Sequence, residues 1–406
     1  GRIALKPLGA DRDRALDVFR GATVALMILV NNPGSWKHLY PPLAHATWHG
    51  CTLTDWVFPF FLFAVGNALA LTSRSWSADR TPASGQGMAH EFGQRWVRRT
   101  AWIFGVGLFL NASPFVRWDA QGDLVWRSWE TLRIMGVLQR IALCWALAAL
   151  VVWWAGTRGA WWTVGVALLG YWAACLGLAH GSDPYSLEGF FGTHLDRAVL
   201  GASHLYRGEG VPFDPEGLAS TVPAVAQVLL GYLVGRAWLQ RRSHPRGVWH
   251  LAMLALGLCA LGALWELAVP LNKKIWTPSY VLWTTGWATA VLSIILWVQQ
   301  RRALPRAFHL LHPVGTLCVA FGRNALAVFA LSGLVPRLLL LWRMEDGLMP
   351  DGSTRWITPW PLIYRTLFEP LTQDPRASSL LFAMANLALY GALAWWLDRR
   401  GLYWRV

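Results

Sequence analysis

The sequence predicts an all-α integral membrane protein, a polytopic bundle of about ten transmembrane helices forming one domain, with both termini in the cytoplasm. Composition is the first observation behind this. Of 406 residues, 55% are hydrophobic, only 14% are charged and 28 are tryptophan, whereas soluble domains approach a quarter charged. The second is that apolar runs near the roughly 20 residues needed to cross about 30 Å of hydrocarbon recur along the whole chain. The third is the placing of lysine and arginine between those runs, which orients the bundle.

The ten runs are 15–30, 55–71, 96–109, 134–154, 160–179, 220–239, 248–269, 279–298, 316–342 and 379–397. Lipid offers no partner to unpaired backbone groups, so each is expected to be helical. The first follows a basic leader, 1–14, and has Asp17 and Arg20 in its first turns, which reads as a span rather than a cleaved signal. The third and ninth have the least distinct ends. With the N-terminus in the cytoplasm, 20 of the 36 Lys and Arg fall on that side, counting Arg98, Arg99 and Arg236 at the cytoplasmic ends of their runs, and 12 on the other, while Arg20, Arg140, Arg323 and Arg337 fall within spans.

Three of the stretches that then lie outside are informative. The first, 31–54, holds three histidines. The second, 180–219, carries DP, GEG and DPEG turns between short apolar pieces and reads as a cap. The third, 343–376, contains WPLIYRTLFEPL, whose length and prolines make it re-entrant or interfacial rather than spanning.

The net charge of +14 lies in short topology-setting loops without a dense basic run, so nucleic acid is not expected as a partner. Cys51, Cys144, Cys175, Cys259 and Cys318 stand singly, which gives neither a disulfide framework nor a zinc site, and no metal is expected.

The most informative segment is VNNPGSWKHLYPPLAHATWHGCTLTDWVFP, residues 30–59. Neutral imidazole can act as base or nucleophile near neutral pH, and His38, His45 and His49 are all candidates. Spacing does not rank them, and a solvated ring is the default for each. Asn31 and Asn32 end the first run and can be mere helix caps. Asp55 opens the second, where a carboxylate is a good N-cap.

Polar groups inside spans usually face a cavity or a partner helix. Arg20 either pairs with Asp17, three residues away, or holds an anion from the cytoplasmic side. Gln139, Arg140, Arg323 and Asn324 add donors that face the bundle. With few carboxylates expected near them, these arginines suggest a bound anion such as phosphate. Arg337 reads as a snorkelling or structural residue.

Blocks RALDVFRGATVALMILVNNPGS, HATWHGCTLTDWVFPFFLFAVGNAL, LRIMGVLQRIAL, FDPEGLASTVPAVAQVLLGYLVG, PLNKKIWTPSYVLWTTGWA and GRNALAVFALSG resemble, in order, the family of heparan-alpha-glucosaminide N-acetyltransferase, the lysosomal membrane enzyme, and its bacterial inner-membrane relatives. The resemblance implies an acetyl group taken from cytoplasmic acetyl-CoA and delivered across the membrane to the amine of glucosamine or a terminal glucosaminide. It places the active-site histidine at His45, in His45-Ala46-Thr47-Trp48-His49-Gly50, and the functional asparagine at Asn31. This sequence departs from the family pattern in a longer loop with Pro41-Pro42 and in having His49 where relatives often carry an amide.

Amide formation from a thioester needs a deprotonated amine, a place for its proton and donors for the oxyanion. His45 serves as general base or as nucleophile through an acetyl-imidazole. Asn31 orients the thioester carbonyl or the oxyanion, and Asp55 fixes the imidazole tautomer if the chain folds back. Asn32, Trp48 and His49 are expected against the acceptor. Arg20, Arg140, Arg323, Asn324 and Gln139 are expected along acetyl-CoA. The implied location is the bacterial inner membrane with the histidine loop in the periplasm; lipid surrounds the bundle and a homodimer is allowed. The competing reading is a secondary transporter of a sugar or amino sugar. A transporter calls for paired repeats and a mid-membrane carboxylate, and Glu266 lies near the outer end of its run.

Overall fold

The computed structural model describes residues 13–78, 85–300 and 311–404. The basic leader, apart from residues 13 and 14, and the arginine cluster at 301–306 lie outside them. Each apolar run lies on helix. Helix α1 (Arg14–Asn31) is started by Asp13, whose carboxylate accepts from the Ala15 amide at 2.8 Å, and α2 (Val57–Ala78) and α3 (Gly85–Ala112) follow. Strands β1 (Val116–Trp118) and β2 (Leu124–Trp126) form a hairpin before α4 (Val137–Gly177).

At 41 residues α4 would be about 60 Å long, twice the hydrocarbon thickness. It is broken at Gly156, whose φ of 60° and ψ of −151° leave the helical region, so the expected runs 134–154 and 160–179 become its two arms. Short α5 (Phe191–Leu200) lies in the stretch 180–219, followed by α6 (Thr221–Arg241), α7 (Gly247–Glu266) and α8 (Pro278–Gln300).

Run 316–342 is not one straight span. It forms α9 (Leu311–Arg323) and α10 (Ala325–Leu339), bent by 80° at Asn324, whose amide Nδ2 turns back to the Ala320 carbonyl at 3.2 Å. Side-chain amides that bond nearby carbonyls compete with the helical ladder, which marks where the bend falls. A second hairpin, β3 (Met344–Leu348) with β4 (Thr354–Ile357), leads through α11 (Pro359–Ile363) to α12 (Pro375–Arg399). Neither hairpin is expected from hydropathy, because four short strands carry no periodic signal long enough to register.

Among the described residues six helices are long and apolar enough to cross a membrane, and the bent α9–α10 pair makes a seventh. Three charges each keep α1 (Arg14, Asp17, Arg20) and the second half of α3 (Arg95, Arg98, Arg99) out of that set. A mostly helical chain with this many apolar helices is an integral membrane protein.

Glycine brings the helices close. A Cβ on Gly21 would lie 1.7 Å from the Cys318 carbonyl oxygen and one on Gly322 would lie 2.0 Å from that of Asp17, so α1 and α9 touch backbone to backbone. Gly66 and Gly231 do the same for α2 and α6. Small residues at crossings are how helices gain packing in lipid, where burial of apolar surface gives no advantage.

Candidate active site

The histidine loop is fastened at both ends. Asn32 closes α1, its Nδ2 donating to the Ile28 carbonyl at 2.9 Å, and the Gly34 and Ser35 amides bond Ser379 at the start of α12. At the far end Gly50 adopts φ 107°, a left-handed conformation natural to glycine, and its amide bonds the Leu271 carbonyl at 2.8 Å. The chain thereby turns back on itself and brings residue 45 over residue 55.

His45 Nδ1 lies 2.6 Å from Asp55 Oδ1. The other carboxylate oxygen accepts from the Ala46 amide at 3.1 Å, the Thr52 amide at 3.0 Å and the Thr52 hydroxyl at 3.1 Å. Asp55 thus spends its carboxylate on the loop before it rather than capping the helix after it, while the Tyr280 hydroxyl donates to its backbone carbonyl at 2.6 Å. Its side chain is 2% exposed, against 43% for His45. So short a contact to a carboxylate puts the proton on Nδ1, leaving the Nε2 lone pair free for chemistry.

Lys273, in the turn between α7 and α8, completes the group with Nζ at 3.2 Å from His45 Nδ1 and 3.6 Å from Asp55 Oδ1. Burial holds its ammonium below the usual lysine range, while Asp55 and Glu216 support the charge. No spacing rule joins residues 45, 55 and 273, so the sequence alone gives Lys273 no role. Cys51 is no rival nucleophile: burial, reinforced by Asp55, pushes its thiol up to about 12.

The other histidines are placed differently. His49 Nδ1 faces Asn272 Nδ2 at 3.4 Å, and His38 is exposed. Trp48 packs into the stretch 180–219, its indole N–H donating to the Tyr185 carbonyl at 2.8 Å and its ring 5.7 Å from Phe213. Lys274 strengthens that seam by bonding the Thr47 carbonyl and Glu209, both at 2.7 Å.

Within the same stretch Asp196 accepts from the Leu218 and Ala219 amides at 2.9 and 3.2 Å, and burial raises its carboxyl to about 6. A carboxyl raised above its unfolded value contributes stability that is full below about 4 and is lost as pH climbs through about 6. Asp196→Asn keeps an acceptor for both amides. It is therefore expected to raise the unfolding temperature at pH 7.5 and leave it nearly unchanged at pH 4, as read by differential scanning fluorimetry.

Asn31, Asn32 and Gln139 share a cavity of about 430 Å³ with Asn111, Arg133 and Arg337, at the end of α1 that leads into the histidine loop. His45 does not line it. Gly107 and Gly136 make room for the Gln139 amide, and Arg133 holds Asp214 and Glu216 at 2.6 and 2.5 Å. Arg337 donates to the Leu110 carbonyl at the cavity wall.

Arg140, fully buried, donates through Nη2 to the Gly217 carbonyl at 2.9 Å and to Ser220, and sits 5.2 Å over the Trp276 ring. Its Nε and Nη1 are buried without a hydrogen-bond partner. Arg20, Arg323 and Asn324 lie toward the opposite end of α1. The expectation that span arginines have few carboxylates nearby fails here: Arg20 is 3.8 Å from Asp17, and Arg323 is 3.9 Å from Asp17 and 3.1 Å from Asp398. Asp398 comes from α12, a neighbour that sequence distance conceals. Among the described residues no cluster of His, Cys, Asp and Glu has the makings of a metal site.

No family model matches the chain. It is 24% identical to human heparan-alpha-glucosaminide N-acetyltransferase in an alignment covering 97% of this chain and 60% of that protein. It is 26% identical to the mouse protein of the same name, over 70% of this chain and 49% of that one. The chain therefore spans about half to three fifths of the length of the curated relatives it matches. These two alignments support membership of this chain in the heparan-alpha-glucosaminide N-acetyltransferase family.

Proposed function

We propose that this protein moves an acetyl group from acetyl-CoA, arriving at the cytoplasmic face, to the amine of glucosamine or a terminal glucosaminide bound at the face carrying His45. The observation that supports this most is the His45–Asp55 pair, one partner half exposed and the other buried at 2.6 Å. The relatives' names point the same way. Ten crossings follow if α4 counts twice at Gly156, α9–α10 once, and α1 and α3 are included. Both termini are then cytoplasmic, and the histidine loop faces the periplasm of a bacterial inner membrane.

In this reading the acceptor amine attacks the thioester carbonyl carbon while His45 Nε2 takes a proton from the nitrogen. Collapse of the tetrahedral intermediate breaks the carbon–sulfur bond, and the CoA thiolate leaves with that proton. In the alternative route Nε2 itself attacks and expels the CoA thiolate, forming an acetyl-imidazole; the amine then attacks its carbonyl, the imidazole leaves, and Nε2 takes the proton lost by the nitrogen. Asp55 holds the ring in the tautomer that either route needs. Asn31, in the adjoining cavity with Asn32 and Gln139, orients the thioester carbonyl, and His49 and Trp48 border the acceptor. Arg20, Arg323 and Asn324, at the other end of α1, hold the CoA phosphates, with Arg140 between.

Purified protein given radiolabelled acetyl-CoA and glucosamine is expected to yield labelled N-acetylglucosamine. Uptake of glucosamine into vesicles without any acetylated product would favour the transporter instead.

A further inference from the structure

A second cavity lies at the other end of the bundle. Ser73 follows Asp55 by 18 residues, about 27 Å along helical backbone, and there the break at Gly156 opens a space of about 330 Å³ between α2, α4 and α6. Its polar lining is Ser73, Thr157, Tyr232 and Arg236, framed by Trp76 and Trp154, and among the described residues no carboxylate lines it. Thr157 and Tyr232 set their hydroxyls 3.2 Å apart. Arg236 is partly buried, and its Nε is buried without a hydrogen-bond partner. A guanidinium nitrogen kept from water without an acceptor is costly, and an oxyanion that accepts from it removes that cost.

The mouth of the cavity distinguishes among anions. Trp154 stands at the elbow 80% exposed, and along the second arm of α4 follow Trp161, Trp162, Val166 and Leu169, all exposed. This strip is apolar and faces lipid. Arg158, also exposed, sits at the same elbow. Indoles and basic side chains at one level of a bundle are what the membrane–water interface selects. A ligand that fits both halves carries a phosphate for Arg236 and acyl chains for the strip.

We propose that this cavity binds the headgroup phosphate of an anionic phospholipid. Arg236 and the hydroxyls of Tyr232 and Thr157 donate to the phosphate oxygens, and the acyl chains run along the second arm of α4. The site is separate from His45 and does not depend on the acetyl-transfer reading.

Native mass spectrometry of the full chain in detergent, titrated with phosphatidylglycerol, tests it. Wild type is expected to retain bound lipid, Arg236→Gln to bind it about tenfold more weakly, and Arg236→Lys to keep most of the affinity. Arg241→Gln, an exposed position at the end of the same helix, should match wild type and confirm that the loss is local. Equal binding by wild type and Arg236→Gln, or equal binding of phosphatidylglycerol and phosphatidylcholine, would overturn the proposal. Displacement of the lipid by adenosine 3′,5′-bisphosphate would overturn the lipid as occupant and give the site to a soluble phosphate ester.

Discussion

Replacing His45 by Ala is expected to lower acetyl transfer to glucosamine by at least about a thousandfold, the scale of a positioned general base or nucleophile. The residual rate reports what binding and orientation achieve alone. Asp55→Asn should cost nearly as much for a different reason: the amide can present its N–H to Nδ1, which moves the ring proton to Nε2 and removes the reactive lone pair. Because the Asp55 carboxylate also fastens Ala46 and Thr52, loop stability has to be read separately. Thermal unfolding of His45→Ala should stay close to wild type, since His45 is the exposed member of the pair. A His45→Ala protein that unfolds like wild type and still acetylates at the wild-type rate would remove the residue from the mechanism.

Lys273→Met is expected to lower the acetylation rate near neutral pH by about tenfold. Its ammonium, 3.2 Å from His45 Nδ1 and 3.6 Å from Asp55 Oδ1, helps to hold the carboxylate that orients the ring. Burial holds that ammonium below the usual lysine range, so wild type loses the same advantage as pH rises and its rate converges on that of the variant on the alkaline side. Cys51, held protonated, and Glu216, which supports the Lys273 charge, are the other groups facing this cluster. Steady-state rates from pH 5 to 9 on both proteins check this. A rate ratio that stays constant across that range would reduce Lys273 to a packing residue.

Helix positions were legible because length and apolarity are local properties: 279–298 lies within α8, and 220–239 nearly coincides with α6. The two arms of α4 were legible for the same reason, although their joint at Gly156 continues in helix on both sides. What sequence could not show were pairings between distant elements. Asp398 against Arg323, Glu209 against Lys274 and Lys273 against Asp55 each join residues from different parts of the chain, and no periodicity encodes them. The tautomer-fixing contact of Asp55 with His45 could be written down as a condition, that the chain folds back, and the Gly50 turn meets it. Asn31 is the instructive residue in the other direction: the resemblance assigns it and His45 to one reaction, yet it lines a cavity that His45 does not.

In the proposed function the acetyl group crosses the membrane and passes through His45. Proteoliposomes with radiolabelled acetyl-CoA trapped inside and glucosamine outside test it most directly, when protein oriented with the histidine loop outward is selected by its loop accessibility. Labelled N-acetylglucosamine should appear outside with wild type and be absent with His45→Ala. Product formed only when donor and acceptor share one compartment, or formed equally by the variant, would contradict the account.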